Sequence, residues 1–158
     1  MGKNVRMVMF SAVSAVLGGL AAFRGAGKII YQNKKMSDKH LALFLMMDQW
    51  VKVKQDGKML GDYFKRYGYQ RIAVYGMSYA GETLCRELKD SGIEIVYGID
   101  QNADVMCKDI EMKKPEEELP QVDAVVVTVV YYFDAIEETL KQKVDCPILS
   151  LGDIVYEV

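Results

Sequence analysis

Gly76, Ser78 and Gly81 carry the chemistry most readily recognised in this chain. They sit in the stretch RIAVYGMSYAGETLCRELKDSGIEIVYGID, residues 71–100, and an aspartate, Asp100, closes it. The spacing predicts a strand, a glycine turn, a helix and a second strand ending at the acid. In such a unit the first glycine lets the chain turn sharply out of the strand. The helix that follows points its free N–H groups and positive dipole end at a phosphate. The acid, roughly 20 residues beyond the turn, accepts hydrogen bonds from a ribose diol. The dinucleotide fingerprint is G-x-G-x-x-G; here Gly76 and Gly81 hold the outer positions and Ser78 the middle one. A phosphate cradle would use the N–H groups of residues 77–81 and the Ser78 hydroxyl. The bland alternative is a scaffold that needs the tight turn and binds nothing.

Asp100 argues for a ribose diol rather than for one cofactor. NAD fits it, and NADP fits less well because a 2′-phosphate would meet a like charge. The adenosyl group of S-adenosylmethionine would be held in the same way. Against this stands an ordinary solvated aspartate at a strand end. Thr128, Tyr131 and Tyr132 stand at the carboxyl end of a β-branched run, Ala124 to Val130, at the edge where open α/β sheets bind ligands. The tyrosines would stack on a base or sugar, or simply pack over the strand end. The residues expected to line a cofactor are therefore Gly76, Met77, Ser78, Tyr79, Ala80, Gly81, Asp100, Thr128 and Tyr131.

Catalytic residues do not emerge from the sequence. From Arg71 onward no tyrosine has a lysine four residues on (Tyr31 and Lys35 are so spaced, but lie ahead of the first expected strand), and there is neither a G-x-S-x-G elbow nor a P-loop lysine. His40 is the only histidine; it is expected in a buried helix with a structural role. Cys85, Cys107 and Cys146 are scattered, with no C-x-x-C pair. No metal site is expected, and the cysteines read as small core hydrophobes kept reduced.

The elements that must position these residues follow from the hydrophobic pattern. From Arg71 onward the chain alternates strand and helix. Strands are expected at residues 71–75, 94–99, 109–112, 124–130 and 147–151. Helices are expected at 79–91 and 133–143, with another starting at Pro115 before three glutamates; residues 153–157 close the chain. The implied fold is α/β, a Rossmann-like open parallel sheet of order 3-2-1-4-5. Ahead of it, a helix capped by Ser37 is expected to run to about Gln55, with LALFLMM buried on more than one side, either under the sheet or in a dimer. A shorter helix, 59–67, would stop at Gly68.

Met7 to Phe23 is an uncharged apolar run with Lys3 and Arg6 before it and more positive charge, Arg24, Lys28, Lys34 and Lys35, after it. As a helix it would span about 26 Å, against a hydrocarbon core of roughly 30 Å. It reads as a membrane anchor holding the main domain on the cytoplasmic side, as a signal peptide, or as a helix packed in an oligomer. Ser11, Ala15 and Gly19, beside Ser14, Gly18 and Ala22, form small-residue ridges that permit close helix approach. The expected organisation is an apolar helix and joint over 1–36, a helical extension over 37–68, and a nucleotide-binding domain over 69–158. The 158 residues carry a net charge of −2, and the lack of a basic excess argues against nucleic acid as a partner.

Residues 68–100, together with VDAVVVTVVYYFDAIEETL and DCPILSLGDIVYEV, resemble small Rossmann-like domains of bacterial surface-polysaccharide loci. These are the nucleoside-diphosphate-sugar epimerase-like or dehydratase-like domains, which also form the N-terminal part of sugar acyltransferases and nucleotide-sugar dehydratases. The likeness covers most of residues 58–158. It implies that Gly76, Ser78, Gly81 and Asp100 match a nucleotide site for NAD(H) or a nucleotide sugar. It also implies an auxiliary role in cell-surface polysaccharide synthesis, as a homo-oligomer or beside a partner glycan-synthesis enzyme. The family's catalytic residues have no counterpart here. The alternatives are a nucleotide-sugar oxidoreductase or epimerase completed by a partner subunit, and a structural assembly module with an empty crevice.

Overall fold

The computed structural model describes residues 32–101 and 110–158. Ala42–Val158 forms one compact unit; residues 32–41 are helical and fall outside it. Helix α1 occupies residues 32–55. The expected start at Ser37 is corrected. Residues 32–36 are already helical, because Lys34, Lys35 and Met36 are good helix formers and neither glycine nor proline interrupts 32–55. The helix stops where the Lys58 N–H reaches the Val53 carbonyl and the Gly57 N–H the Lys54 carbonyl, a Schellman turn. Helix α2, Leu60–Arg66, ends the same way at Gly68.

Within a single copy of the chain α1 is buried on one side, which corrects the reading that it lies under the sheet. Met46, Trp50 and Val53, spaced as one helical stripe, are buried, whereas Phe44, Leu45 and Val51 are exposed. His40 is likewise exposed rather than buried. A helix on the outside of a layer hides a single face, however apolar the others are.

Five parallel strands follow in the order β3-β2-β1-β4-β5. They are β1 (Arg71–Tyr75), β2 (Glu94–Ile99), β3 (Glu111–Lys113), β4 (Ala124–Val127) and β5 (Ile148–Ser150). Helix α3, Tyr79–Leu88, links β1 to β2; α4, Phe133–Leu140, links β4 to β5; α5, Leu151–Glu157, ends the chain. The fold is α/β, and its strand order is compatible with a Rossmann-like sheet. β1 and β4 are central. Ile72, Ala73, Val74 and all of Ala124–Val127 are inaccessible to solvent, as a sheet covered on both faces requires. The period of two sorts them. Ile72, Val74, Ala124 and Val126 join Trp50, Phe64, Leu84 and Ile154 in one core, while Ala73, Val125 and Val127 join Tyr97, Ile99 and Leu140 in the other.

On the second face, that of Ala73, Val125 and Val127, one expected element is missing. The helix expected at Pro115 is absent: residues 115–120 are turn and irregular chain. Pro120 cannot continue a helix and restrains the residue before it, and three adjacent glutamates repel one another. Leu119 and Val122 of that connection cover the face instead. The third strand begins at Glu111, two residues later than expected; Asp109 lies outside the described residues, as do Cys107 and Met7–Phe23. No helix among the described residues is long and apolar enough to cross a membrane.

Three helices are tied together by one carboxylate. The Glu87 side chain on α3 is 7% exposed. It accepts from the Trp50 indole N–H on α1 at 2.6 Å, from Lys54 at 3.1 Å and from the Leu60 backbone N–H at 2.8 Å. Leu60 is the first residue of α2, and its N-cap, Met59, has no capping side chain. The cap is thus supplied across space by α3, satisfying a donor the helix cannot satisfy itself.

Candidate functional site

The chain leaves β1 at Tyr75 and turns at Gly76, whose φ of +90° is a region that L side chains rarely adopt. A Cβ there would also strike Val129 and come within 2.8 Å of the Thr128 hydroxyl. The Gly76 N–H donates to the Ile99 carbonyl at the end of β2, 2.8 Å away. Its carbonyl accepts from the Thr128 hydroxyl at 2.5 Å. The turn is therefore held from both neighbouring strands, β2 and β4.

Gly81 answers a different need. On α3, one turn beyond Gly76, it lies so close to the Gly76 carbonyl that a methyl group would overlap it. Its missing side chain lets the helix start directly against the turn. Ser78, the N-cap, is exposed and makes no capping bond through its hydroxyl. The first intrahelical bond runs from the Glu82 N–H to the Ser78 carbonyl at 2.9 Å. The N–H groups of Tyr79, Ala80 and Gly81 consequently have no acceptor within the helix. Tyr79 is 80% exposed, whereas Ala80 and Gly81 are buried.

Met77 is fully buried. Its side chain runs into the core against Gly98, where a Cβ would meet the Met77 Cγ at 2.9 Å. Only its backbone faces the turn. The Met77 N–H donates to Asp100 Oδ2 at 2.9 Å, and the Asp100 N–H donates to the Lys113 carbonyl at 3.1 Å. The acid at the end of β2 is thereby fastened to the glycine turn at the end of β1.

Strand β4 is shorter than the expected 124–130 and ends at Val127. The Thr128 N–H still reaches the Tyr75 carbonyl, at 2.9 Å. Val129, at φ −85° and ψ 66°, then leaves the extended region, and the chain winds into a 3-10 turn over Val130–Tyr132. Thr128 is 5% exposed, and its hydroxyl serves the turn. Tyr131 and Tyr132 pack edge to face with ring centroids 5.1 Å apart, and both remain over a third exposed.

Hydrogen bonds thus unite Gly76, Met77, Asp100 and Thr128. Ser78, Tyr79 and Tyr131 stand at the same carboxyl edge with accessible side chains. Tyr75 was not foreseen. It ends β1 half-buried, and burial first, then the negative charges of Asp100 and Glu116, push its phenol above the ordinary value. Its place directly before Gly76 was the available signal. Gly98 was also missed: two methionine side chains, Met77 and Met112, close over it. Among the described residues no group of three or more His, Cys, Asp or Glu could hold a metal ion.

Other described residues line depressions away from this edge. A groove of about 750 Å³ between α1 and α3 is floored by Met47, Trp50 and Met59. A polar cleft of about 560 Å³ lies at the opposite, amino edge of the sheet, between Arg71, Asp123 and Cys146. No family model, curated protein or solved structure matches the chain.

Proposed function

We propose that the chain binds a nucleotide-type ligand, NAD(H) or a nucleotide sugar, at the carboxyl edge of β1, β2 and β4. It would act as an auxiliary domain without catalytic residues of its own. The observation that carries this reading is the 2.9 Å bond between the Met77 N–H and Asp100. It supports reading the acid and the glycine turn together, because the bond fastens one to the other. A carboxylate accepts up to about four hydrogen bonds, so a ribose diol can share Asp100 with Met77. A phosphate would lie toward the N–H groups of Tyr79–Gly81 and the positive end of α3, with Ser78 as a further donor. Tyr79 and Tyr131 offer rings to a base or sugar. Asp100 disfavours NADP, whose 2′-phosphate would lie against it. The setting in cell-surface polysaccharide synthesis, with a second copy or a glycan-synthesis enzyme as partner and membrane contact through residues 7–23, rests on the sequence resemblance and the apolar run.

Thermal unfolding of the full chain with NAD, NADP, UDP-sugars and S-adenosylmethionine tests the reading. Ligand at 100 times its Kd adds about 2.7 kcal/mol. The expected result is a rise in Tm with NAD or a UDP-sugar, reduced in Asp100→Asn. No shift with any of the four at millimolar concentration would refute it. That outcome would favour a structural assembly module, a reading supported by the way Thr128 and Asp100 satisfy the turn from within.

A further inference from the structure

We draw no further inference here: the strongest candidate, the apolar groove between α1 and α3 with the exposed Phe44, Leu45 and Val51 beside it, carries nothing because nothing in the structure shows what covers it.

Discussion

Replacing Gly81 by alanine sets two effects of known size against each other. Alanine is the better helix former by about 1 kcal/mol, so the change alone would stabilise α3. The added methyl, however, falls far inside the 3.0 Å below which real Cβ atoms essentially never approach another heavy atom, and what it meets is the Gly76 carbonyl. A flexible side chain could swing away, but this is backbone. It is anchored by the Thr128 hydroxyl at 2.5 Å and by the Gly76 N–H bond to Ile99 at 2.8 Å. Helix α3 must shift instead, and with it Leu84 and Leu88, which are buried to 1% exposure or less. Overpacking of this kind costs about 1–3 kcal/mol, and a rigid neighbour puts the cost at the upper end. The net expectation is a loss of about 2 kcal/mol, which lowers Tm by about 4–8 °C for a chain of this size. Gly152 in α5 provides the control. A Cβ there meets Val130 Cγ1 at 3.3 Å and Ser150 Oγ at 3.4 Å, both side-chain atoms that can yield. Gly152→Ala should therefore be neutral or slightly stabilising. Urea titration at constant m-value reads both variants. Gly81→Ala as stable as the parent chain would refute the claim that the turn is rigidly held. Ligand binding, where present, should fall in Gly81→Ala and persist in Gly152→Ala.

Three further outcomes are expected. Glu87→Ala removes the acceptor of the Trp50 and Leu60 N–H groups; at about 1–3 kcal/mol for each stranded donor, the loss should be about 3 kcal/mol. Glu87→Gln, which keeps an acceptor oxygen, should lose less, and equal losses in urea titration would contradict the bridging role. Tyr97 is inaccessible to solvent and donates to the Pro120 carbonyl at 2.7 Å. Burial, with a smaller contribution from Cys146, pushes its phenol up to about 12 from 10.0. A raised folded value gives stability that is complete below pH 10 and lost as the pH rises toward 12, so Tyr97→Phe should flatten the alkaline unfolding curve followed by fluorescence. Asp123 accepts from the Arg71 and Gln70 N–H groups at 2.7 and 2.8 Å, and these bonds, Arg71's first, hold its carboxyl below the ordinary 3.8. A depressed folded value gives stability present above 3.8 and lost as the pH falls through the folded value. Asp123→Asn should therefore reduce the slope of stability against pH on the acid side below 3.8, and an unchanged slope would count against the contact.

The sheet order was legible because its signals are local. The runs at 71–75, 94–99 and 124–130 read as strands, the last as a central one covered on both faces, and a right-handed crossover between parallel strands leaves few arrangements. Gly57 and Gly68 marked helix ends because few other residues complete a Schellman turn. The errors arose where a local preference met a tertiary demand. Pro115 with its glutamates resembled a helix start, but only a few residues separate it from Pro120. LALFLMM resembled a helix buried all round, yet only Met46 of it is buried with Trp50 and Val53, Leu43 and Met47 pack half-buried against that core, and Phe44 and Leu45 stay exposed.

Sequence alone picked out Gly76, Gly81 and Asp100, since the glycine spacing and the acid after the second strand identify a turn and an acceptor; Tyr75 and Gly98 beside them it did not. Tertiary structure decided what each of them does. Met77 turned its side chain into the core and left only its N–H at the turn, because the space beside Gly98 admits it. Thr128 gave its hydroxyl to the Gly76 carbonyl, because the end of β4 lies against the turn. Asp100 met Met77 across two strands, a contact that no spacing along the chain encodes. The physical reason is that hydrogen bonds and close packing depend on distances in space. Periodicity and propensity report only which conformation each segment prefers.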